Sequence, residues 1–357
     1  MKGSTFLFLL FAAAVFAALA AYQHRSERDR WREQAVPPGS RIHGEFPVND
    51  VAAITLSGPD GRVTLQRGPN GWGVAERGGA PADFQPVSAL ILKISGLEAL
   101  QSIPVGEADY GVLALRSGEE GAPPEETGTL VELSGGAGQP LAALILGKTH
   151  LTTPQGMQPE TGGTATGRYV ITADRGGNAY LVAETFAGLE TTPSAWIDKT
   201  FIRPGLPRRV EVRSKESQWV VSREADGAPW TMEGLGKNQS LDAAQVADID
   251  PMFTGPALAD VSDGPDDPRV KPLGENPVSV TVDTFDGVRY GLTIGRGDGD
   301  NLPVQVTAEA LPDTAAPAEA LAAAAKFKDR VVFLPRNFVA PFLRERAELL
   351  SGAAEDR

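Results

Sequence analysis

Cysteine is absent from this 357-residue chain, which removes disulfides, thiol nucleophiles and cysteine-ligated metals and suits either side of a bacterial inner membrane. Histidine is nearly as scarce, with only His24, His43 and His150, and no two stand four apart as on a zinc-binding helix. Neither a Gly-x-Ser-x-Gly elbow nor a Ser-x-x-Lys pair occurs. No catalytic residue, metal or cofactor is therefore expected, and the chain reads as a non-enzyme. A basic stripe is also missing. The net charge is −13, and because the first 33 residues hold five basic and three acidic side chains, the remainder bears −15. A surface so acidic repels phosphate, so nucleic acid is not an expected partner.

What the chain does have is one long uncharged run, Thr5 to Tyr22 (TFLFLLFAAAVFAALAAY). At about 1.5 Å per residue its eighteen residues reach about 27 Å as a helix, close to the hydrocarbon thickness of a bilayer. It reads as a single-span anchor, with Tyr22 and Trp31 suited to an interfacial belt. The alternative is a secretory signal peptide cleaved near Ala18-Leu19-Ala20. Arg25, Arg28, Arg30 and Arg32 follow the run, and on the positive-inside rule alone they would hold the large domain in the cytoplasm.

Beyond the anchor and its juxtamembrane segment (1–33), the Pro/Gly-rich stretch 34–44 reads as a solvated linker. Short β-type runs then alternate with turns: Ala53 to Leu56, Val63 to Leu65 and Trp72 to Val74, separated by Pro59-Asp60-Gly61 and Asn70-Gly71. Asp83 is placed to cap a helix whose apolar stripe is Val87, Leu90, Ile91, Ile94, Leu97 and Leu100.

Four blocks recur in the same order. Arg62 to Arg67 aligns with Gln218 to Arg223, with Trp72 and Trp230 following. Ser240 would cap a second helix bearing Val246, Ile249 and Phe253. Leu141 to Lys148 aligns with Tyr290 to Arg296, pairing Leu144 with Leu292. Tyr180-Leu181-Val182 and Phe186 align with Val332-Phe333-Leu334 and Phe338. The expected fold class is α+β: an N-terminal transmembrane helix, then two tandem copies of a mainly antiparallel sheet module with packed helices. The copies span 45–204 and 205–350, and a tail covers 351–357.

Gly71-Trp72, Pro81-Ala82-Asp83, Leu144-Ile145-Leu146-Gly147-Lys148, Gly167-Arg168-Tyr169-Val170 and Ser194-Ala195-Trp196-Ile197-Asp198-Lys199 together resemble an uncharacterised family of membrane-anchored bacterial proteins. That domain-of-unknown-function family is often encoded beside gliding-motility-type ABC transporter components. The resemblance covers nearly all of 48–340. It implies a periplasmic ectodomain, in opposition to the arginine count, and an ABC transporter permease or other envelope protein as partner. The second copy lacks the Ser-x-Trp-x-Asp-Lys element, having Pro341-Phe342-Leu343-Arg344 near that place.

Conspicuous residues have structural readings beside functional ones. Trp72 and Trp230 are expected in the core rather than stacked on a ligand. Trp196, Asp198 and Lys199 either form an interaction surface or close the module. Gly295 to Asn301 lacks the ligand spacing of a calcium loop and reads as a turn. The expected function is a periplasmic accessory or scaffold protein of an ABC-type transport complex, held in the inner membrane by residues 5–22. The alternative is a periplasmic carrier of lipid or envelope polymer.

Overall fold

In a computed structural model, residues 37–118, 121–152, 163–174, 176, 178–255, 258–312, 314 and 316–351 are described. The anchor expected at 5–22, its juxtamembrane segment and the tail past 351 lie outside them. Among the described residues no helix is long and apolar enough to cross a membrane.

Two large sheets with a few helices make up the described chain. The turn residues open the first: β1 (Val51–Gly58), β2 (Gly61–Gly68) and β3 (Gly71–Val74), with Gly71 at φ 109° where the Asn70-Gly71 turn demands glycine. After β4 (Ala80–Pro81) comes α1 (Phe84–Ser95). The Asp83 carboxylate accepts from the Gln85 amide at 2.9 Å, as a cap should, and Val87, Leu90, Ile91 and Ile94 are buried. Leu100 lies beyond this helix, exposed on β5 (Ala99–Pro104). The short helix α2 (Glu107–Tyr110) precedes β6 (Thr129–Gly135), β7 (Pro140–Thr152), β8 (Thr164–Thr172) and β9 (Asn178–Val182). Strand order in the sheet is β4-β3-β2-β1-β6-β7-β8-β9-β5.

The second sheet is built from β10 (Pro207–Arg213), β11 (Gln218–Ser222), β12 (Thr231–Met232), β14 (Asp260–Val261), β15 (Val278–Thr284), β16 (Val288–Ile294), β17 (Asn301–Ala310) and β18 (Val332–Pro335). Its order is β12-β11-β10-β15-β16-β17-β18-β14. Replacing each strand by its counterpart in chain order converts this into the first order, β4 excepted. The aligned sequence blocks occupy matching strands: β2 with β11, β7 with β16, and β9 with β18. Inner-face side chains alternate as a half-buried strand requires, for example Val288, Tyr290, Leu292 and Ile294.

By internal packing, the described residues up to Arg62 form one compact unit with those of Ala89–Thr191, and Val63–Ser88 form another with the described residues from Thr192 onward.

Two expectations need correction. Ser240 does not cap a helix. It lies in β13 (Ser240–Leu241), and Asp242 caps instead, accepting from the Ala244 amide at 2.9 Å. The helix it opens, α3 (Ala243–Ala247), stops early, and α4 (Asp250–Thr254) starts afresh with Pro251 in its first turn, where the missing N–H does no harm. Val246, Ile249 and Phe253 are buried as expected. The linker, second, is not solvated throughout. The Gly39 amide donates to Ala99 O at 2.8 Å, the Ala99 amide donates to Ser40 O at 2.9 Å, and Ile42 is buried. The stretch composition suggests a tether, but Ile42 supplies an apolar side chain and the edge of β5 supplies unpaired backbone groups.

Candidate functional site

The three residues expected at an interaction surface follow a short 3₁₀ turn, Pro193–Trp196. The Asp83 amide donates to Trp196 O and the Asp198 amide to Pro81 O, both at 2.8 Å, so residues 196–198 run beside the β4 edge. Trp196 is 5% exposed. The Asp198 carboxylate meets Lys326 Nζ at 2.6 Å and the Thr200 amide at 2.9 Å. Burial pushes the Asp198 carboxyl up, but the hydrogen bonds from Lys326 and Thr200 prevail and hold it below the usual carboxylate range. Lys199 is exposed. Only Lys199 and the outer side of the Asp198–Lys326 pair are thus offered to solvent.

Pro341 to Leu343 closes α6 (Arg336–Leu343), a helix that comes after α5 (Ala318–Ala325), and Arg344 is its extended C-cap. The counterpart of the tryptophan element lies further on and carries no matching letters. A 3₁₀ turn at Arg346–Leu349 leads into β19 (Leu350–Ser351), which pairs with β13, and the Asp242 amide donates to Leu349 O at 2.8 Å. Each helix-capping aspartate therefore gives its amide to the last residue of a 3₁₀ turn, Trp196 in one place and Leu349, 1% exposed, in the other. Sequence comparison missed this because the shared requirement is a buried apolar side chain and a free carbonyl, which many residues satisfy.

Trp72 and Trp230 are half-buried rather than central. Trp230 covers the Arg223 guanidinium, whose Cζ is 4.4 Å from the ring centroid. Arg223 grips Asp250 with two bonds of 2.9 and 3.0 Å and donates to Pro207 O at 2.8 Å. The buried tryptophans are Trp219, 1% exposed, and Trp196.

A second ionic cluster joins Asp260, Asp267, Arg77 and Arg269. Arg77 Nε and Arg269 Nη1 reach Asp260 at 2.6 and 2.8 Å, Arg269 Nη2 reaches Asp267 at 2.6 Å, and the Arg269 guanidinium lies 4.3 Å over Phe333. The Arg269 hydrogen bond holds the Asp267 carboxyl well below its usual range. Burial would raise Asp260, yet Arg77 and Arg269 lower it on balance. Arg330 donates to the carbonyls of Arg77, Gly78 and Gly79. Arg336 does the same for Gly297 and Gly299, which ties down the acidic turn that looks superficially like a calcium loop. Among the described residues no group of three or more His, Cys, Asp or Glu is placed to hold a metal.

Two motifs from the resemblance meet in the first unit. Arg168 Nε donates to Gly147 O at 2.7 Å, and the Lys148 amide donates to Leu113 O at 2.8 Å. A Cβ at Gly147 would lie 2.4 Å from Leu113 O, so glycine is what lets residues 113–115 cross β7 where its pairing with β8 shifts register. Gly295, its aligned partner, plays the same part: a Cβ there would lie 2.8 Å from the backbone of Pro272 and Leu273. His150 lies against Thr166 Oγ1 at 3.0 Å and edge-on to Tyr169.

These groups anchor loops and cap helices. In these clusters the arginines are matched to carboxylates or to backbone carbonyls. Comparison with protein-family models, curated proteins and solved structures finds no match for this chain.

Proposed function

We propose that this chain is a non-enzymatic accessory or scaffold protein, anchored in a bacterial inner membrane by residues 5–22 and carrying two tandem copies of one antiparallel α+β module on the periplasmic side. Its proposed partners are the permease of an ABC-type transporter or other envelope proteins. One observation carries the reading: an eighteen-residue uncharged run is followed, sixteen residues later, by a segment bonded directly to β5. Such a chain holds broad sheets close to a bilayer, where confinement raises effective concentration and weak contacts suffice. The arginine clamps support a scaffold, since they make loops rigid without leaving reactive groups.

A C-terminal alkaline phosphatase fusion tests sidedness, with activity expected and an inactive fusion contradicting it. Purification from detergent-solubilised membranes with a tag on the ectodomain is expected to recover permease and ATPase subunits. Recovery of a monomer carrying bound lipid would instead favour a carrier.

A further inference from the structure

We propose that the bulged end of β5 is a membrane-contact face, where Leu100 and Leu92 of the first unit insert shallowly among lipid headgroups beside the docked tether. The proposal rests on the anchoring proposed above. β5 is the terminal strand of its sheet, and its ladder slips at the start: Ala99 opposes Val182 and Gln101 opposes Leu181, which leaves Leu100 as the extra residue of a bulge. A bulge at a sheet edge re-aims the side chain it carries. Leu100 is 50% exposed, and Leu92, in the last turn of α1, is 61% exposed.

A single exposed leucine needs no explanation. Here apolar groups gather along one short strap. The Gly39 amide bonds to the carbonyl that links Ala99 to Leu100, and the Ile42 amide donates to Leu97 O, just past α1, at 3.4 Å. Pro37 and Pro38, both exposed, open that strap. The two leucines and the two prolines therefore stand along the segment by which the chain leaves toward Thr5 to Tyr22.

What covers them follows from the chain itself. Sixteen residues, 23–38, separate Tyr22 from Gly39, and even fully extended they reach only about 55 Å. An anchored chain thus presents the strap to the bilayer surface at high effective concentration, where two partly buried leucines suffice. Charge offers little opposition. Arg41 pairs with Glu45 at 2.8 Å, Lys93 pairs with Glu184 at 3.1 Å, and Glu98 lies opposite Arg41. These sum to one negative charge, whereas the chain past residue 33 carries −15, so headgroup repulsion is weak at this edge.

The lack of cysteine allows one dye to be attached at one chosen site. Full-length Leu100→Cys, Leu92→Cys and Gln305→Cys, each labelled with nitrobenzoxadiazole, are reconstituted into phosphatidylcholine vesicles with and without nitroxide-bearing lipid. Gln305 is exposed on the second sheet and serves as the water-facing reference. Dye at 100 and at 92 is expected to emit further to the blue than dye at 305 and to be quenched by the nitroxide. Adding Leu92→Ser should lower the contact constant read at position 100 about fivefold, the scale of one half-buried leucine. Blue-shifted emission without quenching would mean that a second protein surface covers the edge, and would overturn the proposal. Water-like emission at 100, or equal quenching at 305, would overturn it too while leaving the anchor in place. A chain that does not float with the vesicles would overturn the anchoring and the contact together.

Discussion

The two sheets share a strand order and differ in what lies on the second face. In the first, Leu130, Ile145 and Ile171 stand side by side on β6, β7 and β8, and the 105–128 segment lays Tyr110, Leu113 and Leu115 over them as a small second core. In the second, the same row reads Ser279, Thr293 and Gln305 on β15, β16 and β17. Two rows further along the same face, Arg209, Asp283, Arg289 and Glu309 alternate in sign across four neighbouring strands. Three apolar-to-polar exchanges in one row thus separate a covered face from an open one. The first sheet holds its insertion by burial and the second holds its loops by ions, so the two should fail under different insults.

The largest difference is expected at the crossing glycines. Gly147→Ala forces a Cβ against the Leu113 carbonyl and the Leu115 side chain, and should cost about 3 kcal/mol by denaturant unfolding, with residues 105–128 becoming protease-sensitive. Gly295→Ala meets a more distant backbone and should cost about half that. Equal costs would mean that the two insertions are held alike.

Next comes the ion pair inside the second unit. Arg223 is 4% exposed in its side chain and Asp250 31%, so Asp250→Asn leaves a buried guanidinium without the carboxylate that neutralises it. A loss of about 2 kcal/mol is expected, discounted from the fully buried case because water reaches the carboxylate. Thermal unfolding measures it, and an unchanged midpoint would show that Trp230 and the Pro207 carbonyl suffice.

Acid should sharpen the contrast. Asp267, through its Arg269 bonds, and Asp260, through Arg77 and Arg269 against its burial, are both held below the ordinary carboxylate range. Their stabilisation is present above the unfolded value of about 3.9 and is lost as pH falls below it through the depressed folded values. In the first unit Glu184 is lowered likewise, its burial outweighed by the Phe186 amide and Lys93, but its side chain is 30% exposed and screened. Amides of β18 should therefore lose protection at pH 3 relative to pH 7 more than those of β7. Arg269→Met should remove most of that difference.

Much of this architecture was legible in the letters. The turn dipeptides placed β1 to β3, Asp83 and its apolar stripe placed α1, and the repeated blocks fell on equivalent strands. The letters failed where the constraint is conformational. Leu349 stands where Trp196 stands and shares with it only a buried apolar side chain, and Asp242 rather than Ser240 caps because β13 takes Ser240 into a ladder. Gln34 to Gly44 has the composition of a linker, and pairing of Gly39 and Ser40 with Ala99, together with the burial of Ile42, is not encoded in that composition. The interaction surface expected at Trp196, Asp198 and Lys199 mixes a buried ring, a paired acid and one free lysine, a separation that sequence spacing does not encode.

The smallest effect should come from the charged ladder that most visibly distinguishes the second sheet. Arg289 meets Asp283 at 2.6 Å and Glu309 at 3.9 Å, and Arg209 meets Glu211 at 2.9 Å. Arg289 and Glu309 are 37% and 69% exposed in their side chains, so water competes and salt screens even though Asp283 is only 13% exposed, and Asp283→Asn should change stability by about 0.5 kcal/mol. A double-mutant cycle with Arg289→Gln isolates the pair, and its coupling should fade from low salt to 1 M. If coupling instead exceeds about 1.5 kcal/mol and resists salt, the face is drier than its exposure implies. The second sheet would then be sealed by its charges as firmly as the first is by Tyr110 and Leu115.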